Sequence, residues 1–232
     1  MDLSKLSTYR DLMEAFSHLV ARLEALCDTL PYEPSDARLV SLRGMQGILA
    51  GYGMGMHSMF FGRSEAQVIE SMGITNLSSA EMFKKVDDVW RWGTSTLFHF
   101  RLDSLFTNIL TAAQLPALMQ FRQKAASVLV LSAVPNQGIL LEHLLLLTAI
   151  RNSLHNNGIH RNADLIVTLG TNRFWFAKDR PVQCATWQHI LVATDAVVSV
   201  IDVILHATPI GSLPQPIPDM FADAITAGTA RE

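Results

Sequence analysis

Cysteine is scarce: the 232 residues hold two, Cys27 and Cys184. Two thiols are too few for a disulfide framework or a four-thiolate zinc site, and they fit a reducing, cytoplasmic setting. Charge is scarce as well, at 17% of residues against about 25% in an ordinary soluble protein. Neither sign dominates, since 18 Lys and Arg face 21 Asp and Glu for a net charge of −3. That balance excludes a globally basic nucleic-acid binder but leaves room for a local basic site. There is no Walker A loop, no GxGxxG after a strand, no GxSxG elbow and no HExxH or similar ligand spacing, so neither a cofactor nor a metal is expected. Nor does the polar opening, MDLSKLSTYR, have the pattern of a secretory signal. The run with most claim to span a membrane is Gly44 to Gly62, nineteen uncharged residues between Arg43 and Arg63. Its Gln46, His57 and many glycines make it only modestly apolar, and its Gly47, Gly51 and Gly55 row suits a packing seam in a soluble helix or at a dimer contact. No membrane partner is expected. What remains is a chain with 49% apolar residues, enough for a substantial core.

Periodicity makes that core helical. Leu12, Phe16, Leu19, Val20, Leu23, Leu26, Cys27 and Leu30 form one stripe over about 7–30, ended by Pro31 and Pro34. Met45, Ile48, Leu49, Tyr52, Met56, Met59 and Phe60 repeat the spacing over about 35–61, and a short piece at 64–72 is ambiguous. Ser78 and Glu81 offer a capping box. Helical spacing then runs through Val86, Val89 and Trp90, and again through Phe98, Leu102, Leu105 and Ile109. Pro116 suits the first turn of a helix over about 116–133. Pro135-Asn136-Gln137-Gly138 reads as a turn, followed by a strongly apolar helix over about 139–156. Asp164–Gly170 and Asn172–Ala177 are β-branched or aromatic runs around a turn signal, which predicts a hairpin. A last helix over about 185–207 carries Asp195 and Asp202 on its solvent side. These elements predict an all-α fold, one bundle of about six to seven helices over 1–207 with a small β-hairpin before the last helix. The proline-rich 208–232 is expected to be an extended or partly disordered tail.

Polar chemistry concentrates where the apolar helix ends, in Ala149-Ile150-Arg151-Asn152-Ser153-Leu154-His155-Asn156-Asn157-Gly158-Ile159-His160. Arg151 and His155 stand four apart and share one helix face, and Asn152 and Asn156 form the adjacent pair. Helix termination accounts for Asn156, Asn157, Gly158 and one cation. It does not account for the Arg-Asn pair a turn earlier, so a structural and a functional reading both stand. Arg101 and Asp103, two apart, do not face each other on a helix; Arg101 is expected on the core face or beside Arg151. His160 and Arg161 follow the turn, where they are exposed or reach a phosphate. Phe174 and Phe176 are expected to face the core, with Trp175 capping the hairpin.

Arg151-Asn152 followed by His155-Asn156-Asn157-Gly158, late in a helical chain, resembles the signature of the HEPN superfamily (higher eukaryotes and prokaryotes nucleotide-binding domain), over about residues 95–205. Three residues separate the arginine from the histidine, one fewer than that family's shortest usual spacing. The resemblance implies a helical bundle, often a homodimer, and a metal-independent endoribonuclease of toxin or phage-defence systems, with an antitoxin or defence-complex protein as a further partner. On that reading Arg151 and His155 are catalytic, Asn152, Asn156, His160 and Arg161 bind or orient RNA, and two copies face each other across a two-fold axis. The chemistry is coherent: an arginine forks onto phosphate oxygens, and an imidazole moves protons near neutrality. The alternative implied by the same resemblance is a catalytically silent module that binds a protein partner or a nucleotide.

Overall fold

The computed structural model describes residues 8–60, 67, 70, 78–116 and 118–220. Among the described residues, seven helices and one hairpin follow in the order α1 (Tyr9–Thr29), α2 (Ala37–Phe60), α3 (Ser79–Ala112), α4 (Phe121–Ser132), α5 (Gln137–His155), β1 (Leu165–Leu169), β2 (Asn172–Phe176), α6 (Trp187–Leu205) and α7 (Thr208–Gly211). The all-α bundle with a hairpin ahead of its final helices is therefore the fold. Ser78 begins α3 as expected, its hydroxyl and the Glu81 carboxylate each accepting the other's backbone amide. The ambiguous piece at 64–72 lies outside the described residues except for 67 and 70, as do 221–232.

α3 organises the bundle. Its 34 residues join two helical stretches that the sequence shows separately, because nothing between Trp90 and Phe98 breaks the helix. α3 packs on α2 and also on α4 and α5, while α1 closes against α2 and α6. Phe98, Leu102, Leu105, Phe106 and Ile109 are wholly buried there, joining Leu19, Leu23, Leu42, Leu49, Leu147, Ile150 and Ile201 in one core. α6 is long and apolar enough to cross a membrane, with mean hydropathy 1.7, but 61% of that stretch is buried in the bundle. Its apolarity serves the core.

The structure departs from expectation in several places. Pro116 does not open a helix: α4 starts at Phe121. The turn before α5 is real but shorter, with Ala133 and Asn136 at positive φ and Gln137 already helical. Asp195 does not simply face solvent, since it is ion-paired with Arg22 of α1, whose guanidinium also donates to Ser199 Oγ at 3.1 Å. Of the glycine row on α2, Gly55 packs against Trp90, whereas Gly47 and Gly51 face open space, so the row is not a continuous seam within the fold.

The largest departure lies after residue 208. Far from a loose tail, 208–217 forms a short helix and a return strap whose Ile210 and Ile217 are buried. A wholly buried ion pair, Asp36–Arg38, holds it. Asp36 accepts from Arg38 Nε and Nη2 at 2.8 and 2.7 Å and from Ile217 N at 3.0 Å. Arg38 Nη1 donates to Ile210 O at 2.8 Å, and its guanidinium lies 3.5 Å above the Tyr32 ring centroid. Tyr32 in turn donates to Leu205 O. Burial raises the Asp36 carboxyl's pKa, but the Arg38 and Ile217 hydrogen bonds outweigh it and hold that carboxyl below the usual carboxylate range.

Candidate functional site

α5 ends as its sequence dictates. Asn157 and Gly158 both take positive φ, and Gly158 N donates to Ser153 O at 2.8 Å while Asn156 N reaches Asn152 O and Ser153 O. This is the closing turn that Asn and Gly favour. The segment 177–182 is then stitched to it, with His160 N on Arg180 O, Asp179 N on His160 O and Val182 N on Gly158 O. In the hairpin Asn172, Phe174 and Phe176 point inward while Trp175 is 57% exposed. Both phenylalanines belong to the core as expected.

Between α3, the α4 entry, α5 and the start of β1 lies a cavity of about 640 Å³. Of the residues singled out by sequence, Arg151, Asn152 and His160 line it; His155, Asn156 and Arg161 do not. His155 is exposed at the last position of α5. Arg161 is exposed and paired with Asp179 at 2.9 Å. His160 is buried, with Nε2 donating to Ala163 O at 2.9 Å and Nδ1 3.2 Å from Ser153 Oγ, so it fastens the loop after α5. The structure thus brings Arg151 and Asn152 to one cavity and leaves His155 on the surface one turn away.

The residue that Arg151 meets is His99, which sequence reasoning passed over in favour of Arg101 and Asp103. Arg151 Nη1 lies 3.2 Å from His99 Nδ1, and His99 Nε2 lies 2.9 Å from Thr148 Oγ1. A guanidinium only donates, so Nδ1 is the acceptor, the imidazole proton sits on Nε2, and Thr148 accepts it. Burial, reinforced by the nearby Arg151 charge, lowers the His99 pKa to about 4. His99 is therefore neutral near pH 7, and Phe121 packs on it at 4.5 Å between ring centroids. The available signal was its place one step from the buried Phe98–Leu102–Leu105 stripe, on the side that meets α5.

The remaining charges are distributed unevenly. Asp103 lines the cavity but is held by both its oxygens on Lys124 Nζ, at 3.0 and 2.8 Å, with Lys124 buried in α4. Asp164 accepts from Lys178 N at 2.7 Å. Arg122 is an exposed lining residue. Arg151, Arg122 and Lys124 leave one positive charge in excess over Asp103 and Asp164. Phe100 is 52% exposed at the rim, with the Arg151 guanidinium 5.7 Å from its ring centroid. Arg101 is not in this cavity; it lies against Gly44 of α2. Among the described residues no three His, Cys, Asp or Glu are grouped to hold a metal ion.

Such a site offers a forked cation fixed by a neutral acceptor, a second cation at the rim and an exposed aromatic face. These are the elements that receive a phosphate and an unpaired base. No family model matches the chain, and no curated protein or solved structure is significantly similar to it.

Proposed function

We propose that this chain is a HEPN-like module that binds RNA, seating a phosphodiester against Arg151. The observation that carries this reading is that Arg151 lines a cavity and its one hydrogen-bond partner among the described residues is a neutral imidazole. A half-buried arginine with a structural role ordinarily meets a carboxylate, and here the two carboxylates that line the cavity are engaged elsewhere, Asp103 by Lys124 and Asp164 by the Lys178 amide. The N–H groups that His99 does not use remain for an anion. Anisotropy of a fluorescein-labelled 2′-O-methyl hexauridylate, which has no free 2′-hydroxyl to react, tests it. Arg151→Ala is expected to weaken binding about 10- to 100-fold, in keeping with the roughly 1.5–3 kcal/mol of a charged hydrogen bond. Unchanged binding, in a variant that melts like wild type, rules the reading out.

A second reading, metal-independent cleavage in a toxin or defence role, is favoured by His155. Its imidazole is exposed, on the same helix as Arg151, and has no hydrogen-bond partner among the described residues. In that reaction a 2′-hydroxyl loses its proton to a base and attacks the adjacent phosphorus. The bond from phosphorus to the 5′-oxygen breaks, leaving a 2′,3′-cyclic phosphate, and the departing oxygen takes up a proton. Because His155 lies outside its own chain's Arg151 cavity, the reading requires a second copy to present His155 to that phosphodiester. Unmodified labelled RNA in EDTA should then be cut by wild type and spared by both Arg151→Ala and His155→Ala. Cutting that survives His155→Ala removes the catalytic role.

Charge balance gives a further check. Lys124→Ala frees the Asp103 carboxylate beside the cavity, and at an effective dielectric near 20 a charge about 7 Å away opposes an anion by on the order of 2 kcal/mol. Hexauridylate binding should fall roughly 30-fold in Lys124→Ala and recover in the Lys124→Met, Asp103→Asn double variant. Persistent loss in the double variant, where methionine keeps the packing, would show that the Lys124 ammonium acts on the anion itself and not through Asp103.

A further inference from the structure

Next to the Arg151 cavity, on the other side of Phe100, runs a groove of about 440 Å³ between α2 and α3. Phe100 lines both hollows. The groove is walled by Gly44, Gly47, Ile48 and Leu97, and it contains Arg101 and Ser104. Arg101 has no carboxylate, hydrogen bond or ring partner among the described residues. It is nevertheless not a roaming surface cation. A Cβ added at Gly44 would come within 2.8 Å of Arg101 Nε and 3.1 Å of its Cδ, so the side chain lies flat against the α2 backbone and occupies the space that a larger residue at position 44 would fill. Asp103, two residues on, points elsewhere on the helix and is committed to Lys124. A positioned guanidinium without a counter-ion is the feature it shares with Arg151 across the Phe100 ring, though Arg151 is fixed by His99 and Arg101 by the α2 backbone.

We propose that the Arg101 groove is a second phosphate subsite for single-stranded RNA, which runs from Arg151 across Phe100 to Arg101 with one base stacked on the Phe100 ring. The proposal rests on the RNA-binding reading of the Arg151 cavity and adds to it the class of substrate: a strand of at least two nucleotides with an unpaired base. A duplex keeps its bases stacked on one another and has no free face to offer Phe100.

Two probes separate the subsites: labelled 2′-O-methyl hexauridylate, which spans both, and uridine 5′-monophosphate, which fills one. Arg101→Gln is expected to weaken hexauridylate about tenfold, leave the monophosphate unchanged, and lower the slope of log K against log salt by about 0.7, the value for one single-strand phosphate contact. Ser104→Glu, which sets a carboxylate one turn from Arg101, should weaken hexauridylate in the same way and serves as the second variant should Arg101→Gln fold poorly. If both variants bind hexauridylate like wild type while Arg151→Ala does not, the second subsite is wrong and the first stands. If Arg101→Gln weakens both probes equally, the subsites are not separate and the proposal fails. Arg151→Ala without effect on either probe overturns the reading beneath it.

Discussion

Arg38→Ala lowers the unfolding free energy by about 3–5 kcal/mol, the cost of leaving one member of a buried ion pair without its partner. For a domain of this size that corresponds to a fall in Tm of roughly 6–20 °C. The loss is large because Arg38 meets four groups at once: both Asp36 oxygens, the Ile210 carbonyl and the Tyr32 ring. Truncation strands a charged carboxylate at a site with no exposure and frees the strap that carries Ile210 and Ile217. Urea unfolding measures the first effect, and limited proteolysis the second, with new cleavage expected within 212–220. The Asp36→Leu, Arg38→Met double variant should be more stable than Arg38→Ala, because no charge is left buried alone. It should not reach wild type, since Ile217 N and Ile210 O would lose their acceptor and donor. Equal stability of Arg38→Ala and wild type would show that the pair does not hold the strap.

How far the sequence made this molecule legible depended on the length scale of the signal. The stripe of α1 and the inward Phe174 and Phe176 of the hairpin are local patterns in which burial follows from spacing alone, and they match the structure. The strap was not legible. Prolines 209, 214, 216 and 218 suppress periodicity, while the groups that bind the strap, Asp36 and Arg38, lie some 180 residues upstream as an unremarkable pair of charges before an apolar run. The candidate site divides in the same way. Arg151 and Asn152 stood out because they interrupt an apolar helix, and the Asn-Asn-Gly ending announced the turn that follows. His99 did not stand out: its meaning comes from the crossing of α3 and α5, which sets Nδ1 against a guanidinium 52 residues away. Lys124 was hidden for the opposite reason, since a lysine between Phe121 and Ala125 looks like a break in the apolar face until Asp103 supplies its counter-charge.

Stability falls as the pH is lowered from about 6.5 to 4, and His99 is the main single cause. Its imidazole is neutral in the fold down to about pH 4, whereas an unfolded chain takes up the proton near pH 6.5. The sign follows: above pH 6.5 neither state binds the proton and the neutral histidine's full contribution is present. Between 6.5 and 4 only the unfolded state binds it, so the unfolded state gains ground by up to about 1.4 kcal/mol per pH unit, on the order of 3 kcal/mol across the window. Burial is the largest cause, and three charges act on the ring: Arg151 from α5 disfavours the imidazolium most, Asp103 from its own helix favours it, and Lys124 from α4 disfavours it least. His143 and His189, also pushed down by burial, add slope of the same sign, so the diagnostic quantity is the difference between wild type and His99→Gln. Glutamine can accept from Arg151 with its oxygen and donate to Thr148 with its nitrogen, preserving both bonds without a titrating group. Urea unfolding at half-unit pH steps should therefore show His99→Gln within about 1–2 kcal/mol of wild type at pH 7.5 and converging on it, or overtaking it, by pH 4.5. The Asp36 carboxyl acts in a separate range: its folded value is depressed, so its contribution is complete above about pH 4 and is lost as the pH falls further. Hexauridylate binding by His99→Gln should follow wild type at neutral pH, because the acceptor that fixes Arg151 survives. His99→Leu, which removes that acceptor, should bind more weakly while losing the same acid slope. If wild type and His99→Gln trace parallel stability curves from pH 7.5 to 4.5, the imidazole is not held neutral by its burial and the Arg151 charge, and the surroundings assigned to it in the cavity are wrong.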